Sequence, residues 1–174
     1  MQLIHTKNRL KLTVLLLVIV SDSSAGQLTT AESANDQQAV LSAHNKIRAT
    51  HHAPKLIWDD ELARYAEHYA LQCEFKHSGA HYGENLAAGY HSVSAAVQAW
   101  YAEEKHYSYM QPGFSYSTGH FTQLVWKGSK KLGCGYAACN GKHGTPGYYL
   151  VCEYSPAGNI ARRDYFIDNV LPAL

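Results

Sequence analysis

The run Leu132-Gly133-Cys134-Gly135-Tyr136-Ala137-Ala138, followed at a short distance by Gly147-Tyr148-Tyr149-Leu150-Val151-Cys152-Glu153-Tyr154, decides how this chain folds. Both runs are rich in aromatic, branched and small residues. Between them lies Asn140-Gly141-Lys142-His143-Gly144-Thr145-Pro146, a cluster of turn formers. Two strand-like runs on either side of such a cluster predict a β-hairpin. Cys134 and Cys152 then fall at equivalent depths on the two strands, with their sulfurs side by side.

Four cysteines are present, Cys73, Cys134, Cys139 and Cys152, and four allow three disulfide connectivities. The hairpin pairs Cys134 with Cys152, which leaves Cys73 for Cys139. A zinc site is the rival reading, because Cys134, Cys139, His143 and Cys152 offer three thiolates and an imidazole within a short span. The compartment argues against it. Lys7, Arg9 and Lys11 form a basic start, Leu12 to Val20 is an apolar run too short to span a bilayer, and Ser23-Ser24-Ala25 offers a small-residue cleavage site. Residues 1–25 therefore read as a signal peptide and 26–35 as a short extension. Residues 36–160 form one domain and 161–174 a C-terminal tail. A secreted chain keeps its cysteines as disulfides.

Upstream of the hairpin, three helices are expected. The first runs from Asp36, with Ala39, Val40, Ala43 and Ile47 at helical spacing, to the His51-His52-Ala53-Pro54 break. The second opens on Asp59, Asp60 and Glu61, acids that suit a positive helix N-terminus, and aligns Leu62, Ala66, Tyr69, Ala70 and Cys73 on one stripe. The third starts at Ser92 or Ser94 and puts Val93, Ala96, Val97, Trp100 and Tyr107 on a common face. A short fourth helix follows Gly119. The tail, with Asp164-Tyr165-Phe166-Ile167, is expected to pack back onto the domain.

The chain carries 15 Lys and Arg against 14 Asp and Glu; without the leader's Lys7, Arg9, Lys11 and Asp22 the net charge is −1 with histidines neutral. That balance speaks against a nucleic-acid partner. Of 11 histidines only His5 lies in the leader, so acidification adds positive charge. No Asn-x-Ser/Thr triplet occurs. Neither a Gly-x-Ser-x-Gly elbow nor a His-Glu-x-x-His helix is present. Ser78 beside His77, and Ser117 and Thr118 near His120, leave a metal-assisted hydrolase as the weakest of the functional readings.

Five blocks carry a resemblance to the CAP superfamily of cysteine-rich secretory, antigen-five and pathogenesis-related proteins. They are His44-Asn45-Lys46-Ile47-Arg48, Leu56-Ile57-Trp58-Asp59, Gly83-Glu84-Asn85-Leu86-Ala87, Gly119-His120-Phe121-Thr122-Gln123-Leu124-Val125-Trp126, and Leu150-Val151-Cys152-Glu153-Tyr154-Ser155-Pro156-Ala157-Gly158-Asn159. The chain is most similar in character to fungal secreted, sterol-binding members. The resemblance implies an α+β fold, a three-layer α-β-α sandwich, with the pairings Cys73–Cys139 and Cys134–Cys152. It also implies a cleft tetrad of His77, Glu84, Glu103 and His120. Helical spacing alone would place Glu104, not Glu103, in the middle of the third helix's apolar stripe; the resemblance implies Glu103 as the acid and an aliphatic residue after it, so Glu104 is a departure from the family pattern.

Within the tetrad, His77 and His120 could each give one ring nitrogen to zinc or a similar divalent ion, with the two glutamates fixing a water or the tautomer. Two nitrogens make a loose site, and no cofactor is required. Tyr107-Ser108-Tyr109-Met110-Gln111-Pro112-Gly113-Phe114 resembles the caveolin-binding-like loop of sterol-binding fungal members, so Tyr107, Tyr109 and Phe114 are the expected lipid-binding aromatics. The leading expectation is a secreted, non-enzymatic binder of sterol, with a fatty acid between helices as a second ligand. The alternative is an interaction module that displays its loops to a host or cell-surface protein.

Overall fold

The computed structural model describes residues 30–174, with side chains from Asn35 onward; the expected signal peptide lies outside the described residues. The elements in chain order are α1 (Thr30–Thr50), β1 (Ile57–Trp58), α2 (Asp60–Ala70), β2 (Gly83–Ala88), α3 (Val93–Tyr101), α4 (Gly119–Val125), β3 (Lys131–Ala138), β4 (Tyr148–Ser155) and α5 (Arg163–Asn169). A 3₁₀ turn, Ala102–His106, continues α3.

The hairpin forms as read, with Cys134 opposite Cys152 in the antiparallel β3–β4 ladder. It is the centre of a four-stranded sheet in the order β1-β3-β4-β2. β2 pairs antiparallel with β4, while the two residues of β1 run parallel to β3. Every residue from Tyr149 to Tyr154 is buried, because helices cover both faces of β4.

On one face lies α2. Asp59 caps it by accepting hydrogen bonds from the Glu61 and Leu62 amides at 3.0 and 3.1 Å, and Leu62, Ala66, Tyr69 and Ala70 are its buried stripe. The helix backbone lies directly on β3, because a Cβ at Gly133 would stand 2.2 Å from the Ala63 nitrogen and one at Gly135 2.2 Å from the Glu67 nitrogen. The opposite face is covered by α1, α3, α4 and α5, whose Val40, Ile47, Val97, Trp100, Phe121 and Phe166 share one core cluster. This is the expected three-layer sandwich.

Two bridges tie the layers, Cys73–Cys139 across 66 residues and Cys134–Cys152 across 18. Closing those loops in the unfolded chain is worth about 4 and about 3 kcal/mol. With every cysteine in a disulfide, the thiolate zinc alternative falls away.

Three boundaries differ from expectation. α1 begins at Thr30, six residues ahead of Asp36, since Ala31, Glu32 and Ala34 favour helix as well. α3 is capped by Ser92, whose Oγ accepts from the Ala95 amide at 3.1 Å, and it ends at Tyr101 instead of running to Tyr107. α2 ends at Ala70, so Cys73 lies beyond the helix and not on its stripe. The tail packs back onto the domain as expected: Phe166 is fully buried against Trp126, and Asn169 Oδ1 accepts from the Gly128 amide at 2.8 Å.

The buried face of α1 is more polar than its apolar spacing shows. His44, Arg48 and His51 are fully buried. The Arg48 guanidinium donates to the carbonyls of Pro54, Leu124, Trp126 and Ser129 at 2.9 to 3.0 Å, so four backbone carbonyls satisfy its buried donors. Burial lowers its pKa to about 10.

Candidate functional site

The 3₁₀ turn after α3 explains the two adjacent glutamates. Extrapolation at about 100° per residue fails where the α-helix ends. Glu103 turns to α4: its Oε1 accepts from His120 Nδ1 at 2.7 Å, and its Oε2 from the His120 and Phe121 amides at 3.0 and 3.1 Å. Thr118, at the N-cap position of α4, makes no side-chain cap bond, so Glu103 caps that helix from a distance. Glu104 turns the other way, accepting from the Tyr109 hydroxyl at 2.9 Å and lying 3.7 Å from His51 Nε2.

The second histidine–carboxylate pair stands on β2 and the loop before it. His77 Nδ1 meets Glu84 Oε1 at 2.6 Å, and the Ser78 amide donates to the same carboxylate at 3.0 Å. Glu84 is buried, with 7% of its side chain exposed, whereas His77 is 69% exposed. In both pairs Nδ1 faces a carboxylate and therefore carries the proton, which leaves each Nε2 lone pair available to a ligand.

Asn85 and Asn159 link the pairs. Asn85, beside Glu84 in β2, donates to the His120 carbonyl at 3.0 Å. Asn159 donates to the Gly119 carbonyl at 2.8 Å and accepts from Thr122 Oγ1 at 2.6 Å. A polar cleft of about 240 Å³ is lined by His77, Ser78, Tyr82, Glu84, Gln123 and Asn159; His120 and Glu103 are not among its walls. Instead, the His120 ring lies parallel to Trp100 at 6.1 Å. Among the described residues, no group of three or more His, Cys, Asp or Glu is placed to hold a metal ion together.

The hydroxyls near these histidines are engaged locally. Ser78 Oγ accepts from the Ala80 amide, Ser117 Oγ bonds Ser115 Oγ, and Thr118 Oγ1 donates to the Ser115 carbonyl.

Two residues that matter here escaped the sequence reading. Glu153 stands opposite Glu84 in the β2–β4 register and is fully buried, with no hydrogen-bond partner within ordinary distance for either oxygen. Burial, then the neighbouring Glu84 carboxylate, pushes its pKa up to about 9, so it is protonated at neutral pH. A charged residue inside an otherwise apolar strand was the signal that could have found it.

His44 is the other. Its Nδ1 donates to the Val40 carbonyl at 2.7 Å, so its Nε2 accepts from the Tyr154 hydroxyl, also at 2.7 Å. Tyr154 in turn accepts from Asn85 at 3.2 Å. Burial foremost lowers the His44 pKa to about 4, which keeps this network neutral.

The expected lipid-binding aromatics are placed unequally. Tyr107 packs against Phe121 and Tyr109, and both tyrosines belong to the core periphery. Phe114 is 48% exposed and stands edge-on to Tyr116. A separate cavity of about 170 Å³ opens between α1, the start of α3 and the sheet. Ala87, Ala96 and Leu150 form its apolar floor, and Tyr90, Tyr136 and Tyr148 stand around it.

An α-β-α sandwich with two cystines and two histidine–carboxylate pairs defines a domain of the cysteine-rich secretory class. The family model of the CAP, cysteine-rich secretory protein family matches residues 41–154, and the chain belongs to this family. It is 46% identical to Protein PRY2 of Saccharomyces cerevisiae over 139 residues, 77% of this chain and 40% of that protein. It is 42% identical to Secreted protein RBT4 of Candida albicans over 167 residues, 87% of this chain and 45% of that one. Pathogenesis-related protein 1C of Nicotiana tabacum is 38% identical over 157 residues, 85% of this chain and 87% of the tobacco protein. The chain thus spans about half the length of the fungal relatives it matches. The crystal structure of NaASP2 with Zn2+ superposes with a TM-score of 0.62 at 30% identity, covering 75% of this chain and 84% of that one.

Proposed function

We propose that the protein is an extracellular, non-enzymatic carrier of small hydrophobic molecules, a sterol foremost and an acyl chain second. The observation that carries this reading is the cavity between α1 and α3, which combines an apolar floor with a tyrosine surround. The aromatic stretch between Glu103 and His120 adds apolar surface for a flat ligand at Phe114. No helix among the described residues is long and apolar enough to cross a membrane, and Secreted protein RBT4 is named for its export.

The histidine–carboxylate pairs support a loosely held divalent ion. Their donor chemistry fits: each imidazole has its proton fixed on Nδ1 by a glutamate, so His77 and His120 would bind zinc through Nε2. A bound zinc ion would supply a fixed positive charge there, and the similar NaASP2 was crystallised with one.

Organic extraction of the secreted protein tests the reading: co-purifying sterol or acyl chains support it. Replacing Tyr90 and Tyr148, which stand around the cavity, together by Ala should weaken sterol binding by about tenfold or more, while His120→Ala leaves it intact. A parent protein that binds neither lipid class but captures a protein at its loops would replace the carrier with an interaction module.

A further inference from the structure

We propose that the tip of the loop between the 3₁₀ turn and α4 is a membrane-docking surface that seats the protein on an anionic lipid bilayer. Three large apolar side chains within seven residues point away from the core, with Met110 85%, Phe114 48% and Tyr116 93% exposed. Single exposed hydrophobes are ordinary, but a cluster on one protruding loop is a contact surface.

Charge selects the partner. Residues 105–117 contain Lys105 and His106 and no acid. The Arg163 guanidinium, at the start of α5, reaches the Met110 carbonyl at 3.5 Å. Of the nearby acids, Glu103 is turned to His120 and Asp164 to Arg162, while Glu104 accepts from Tyr109 at the base of the loop. An apolar, aromatic tip with the Arg163 guanidinium beside it and Lys105 in the turn before it matches a headgroup layer of anionic lipids better than a protein surface of mixed charge.

The tip is also held in shape before any contact. Tyr107 and Tyr109 anchor its base to the core, the Gln111 amide donates to the Ser108 carbonyl at 3.1 Å, and the Thr118 amide donates to the Ser115 carbonyl at 3.1 Å. Ordering it on a bilayer therefore costs little. The inference does not depend on which molecule the cavity carries, and sterol-free vesicles keep the two questions apart.

The test is flotation of the full secreted chain with sterol-free vesicles of phosphatidylcholine, with and without phosphatidylserine, at low and high salt. The parent should float with the anionic vesicles, and less so at high salt. M110S/F114S/Y116S should lower partitioning about tenfold or more, and Arg163→Glu should lower it on anionic vesicles only. Tyr116→Ser alone, at the most exposed position, should give a smaller loss and guards against misfolding of the triple variant. A parent that stays with the protein fraction, or a folded triple variant that floats like the parent, overturns docking, as does a tip that captures a protein and no vesicle. Sterol binding measured in detergent alongside separates the outcomes: retained sterol binding without flotation sinks docking alone, and flotation without sterol binding sinks the carrier reading alone.

Discussion

The two histidine–carboxylate pairs share one chemistry and rest on opposite supports. Glu103 is backed by two amides at the start of α4, and it fixes a helix that brings Phe121, Leu124 and Val125 into the core. Glu84 is backed by Glu153, a second carboxyl that must stay protonated for the two to coexist. One pair is thus part of the scaffold, and the other is a mostly exposed imidazole poised on a buried acid. Equal motifs in a sequence do not carry equal mechanical weight.

The largest effect that would break this contrast concerns ligands. Replacing His77 and His120 together by Ala should abolish zinc binding in calorimetry, and in the parent that binding should fade as pH falls through the range where histidines protonate. Unchanged affinity in the double variant would move the metal elsewhere.

Glu103→Ala comes next. It leaves two amides and an imidazole without their acceptor and should cost about 2–3 kcal/mol in denaturant unfolding. Glu84→Ala should cost about 1 kcal/mol, because the lost contacts are partly offset by relief of Glu153. Equal losses would erase the distinction between scaffold and poised pair.

Glu153→Gln sharpens it through pH. The folded chain holds a proton there up to about pH 9, while the unfolded chain releases it near its ordinary value of 4.5. The stability this gives is fully present in acid and is lost as pH rises through that window. The amide removes the loss, so the variant should be more stable than the parent by up to about 4 kcal/mol at pH 7.5 and equal to it near pH 4. Urea midpoints at the two pH values check this. The smallest effect belongs to His77→Ala, within about 0.5 kcal/mol, since the ring is largely in water.

Much of this architecture was legible before any coordinates. Hairpin, cystine pairing, the stripe of α2 and the short helix after Gly119 all follow from local chemistry. β2 was not: Gly83-Glu84-Asn85-Leu86-Ala87-Ala88 has low strand propensity and is extended because β4 offers it a full edge. β1 is two residues long, too short for any periodicity. In the site, His77, Glu84, Glu103 and His120 stood in recognisable blocks. Their grouping into two separate pairs depends on the 3₁₀ turn at Ala102, which no spacing rule encodes. The inward turn of Tyr107 and Tyr109 was likewise hidden, because aromatic spacing does not tell core from contact surface.

His44 bears on how this domain meets acidic surroundings. Between its folded value of about 4 and its ordinary 6.5, the unfolded chain takes up a proton there that the folded chain refuses, which weakens the fold as pH drops. Glu153 does the reverse between 4.5 and about 9. Where the two windows overlap, from about 4.5 to 6.5, one unit of proton uptake on unfolding cancels one unit of release, and these two sites together leave the folding equilibrium indifferent to pH.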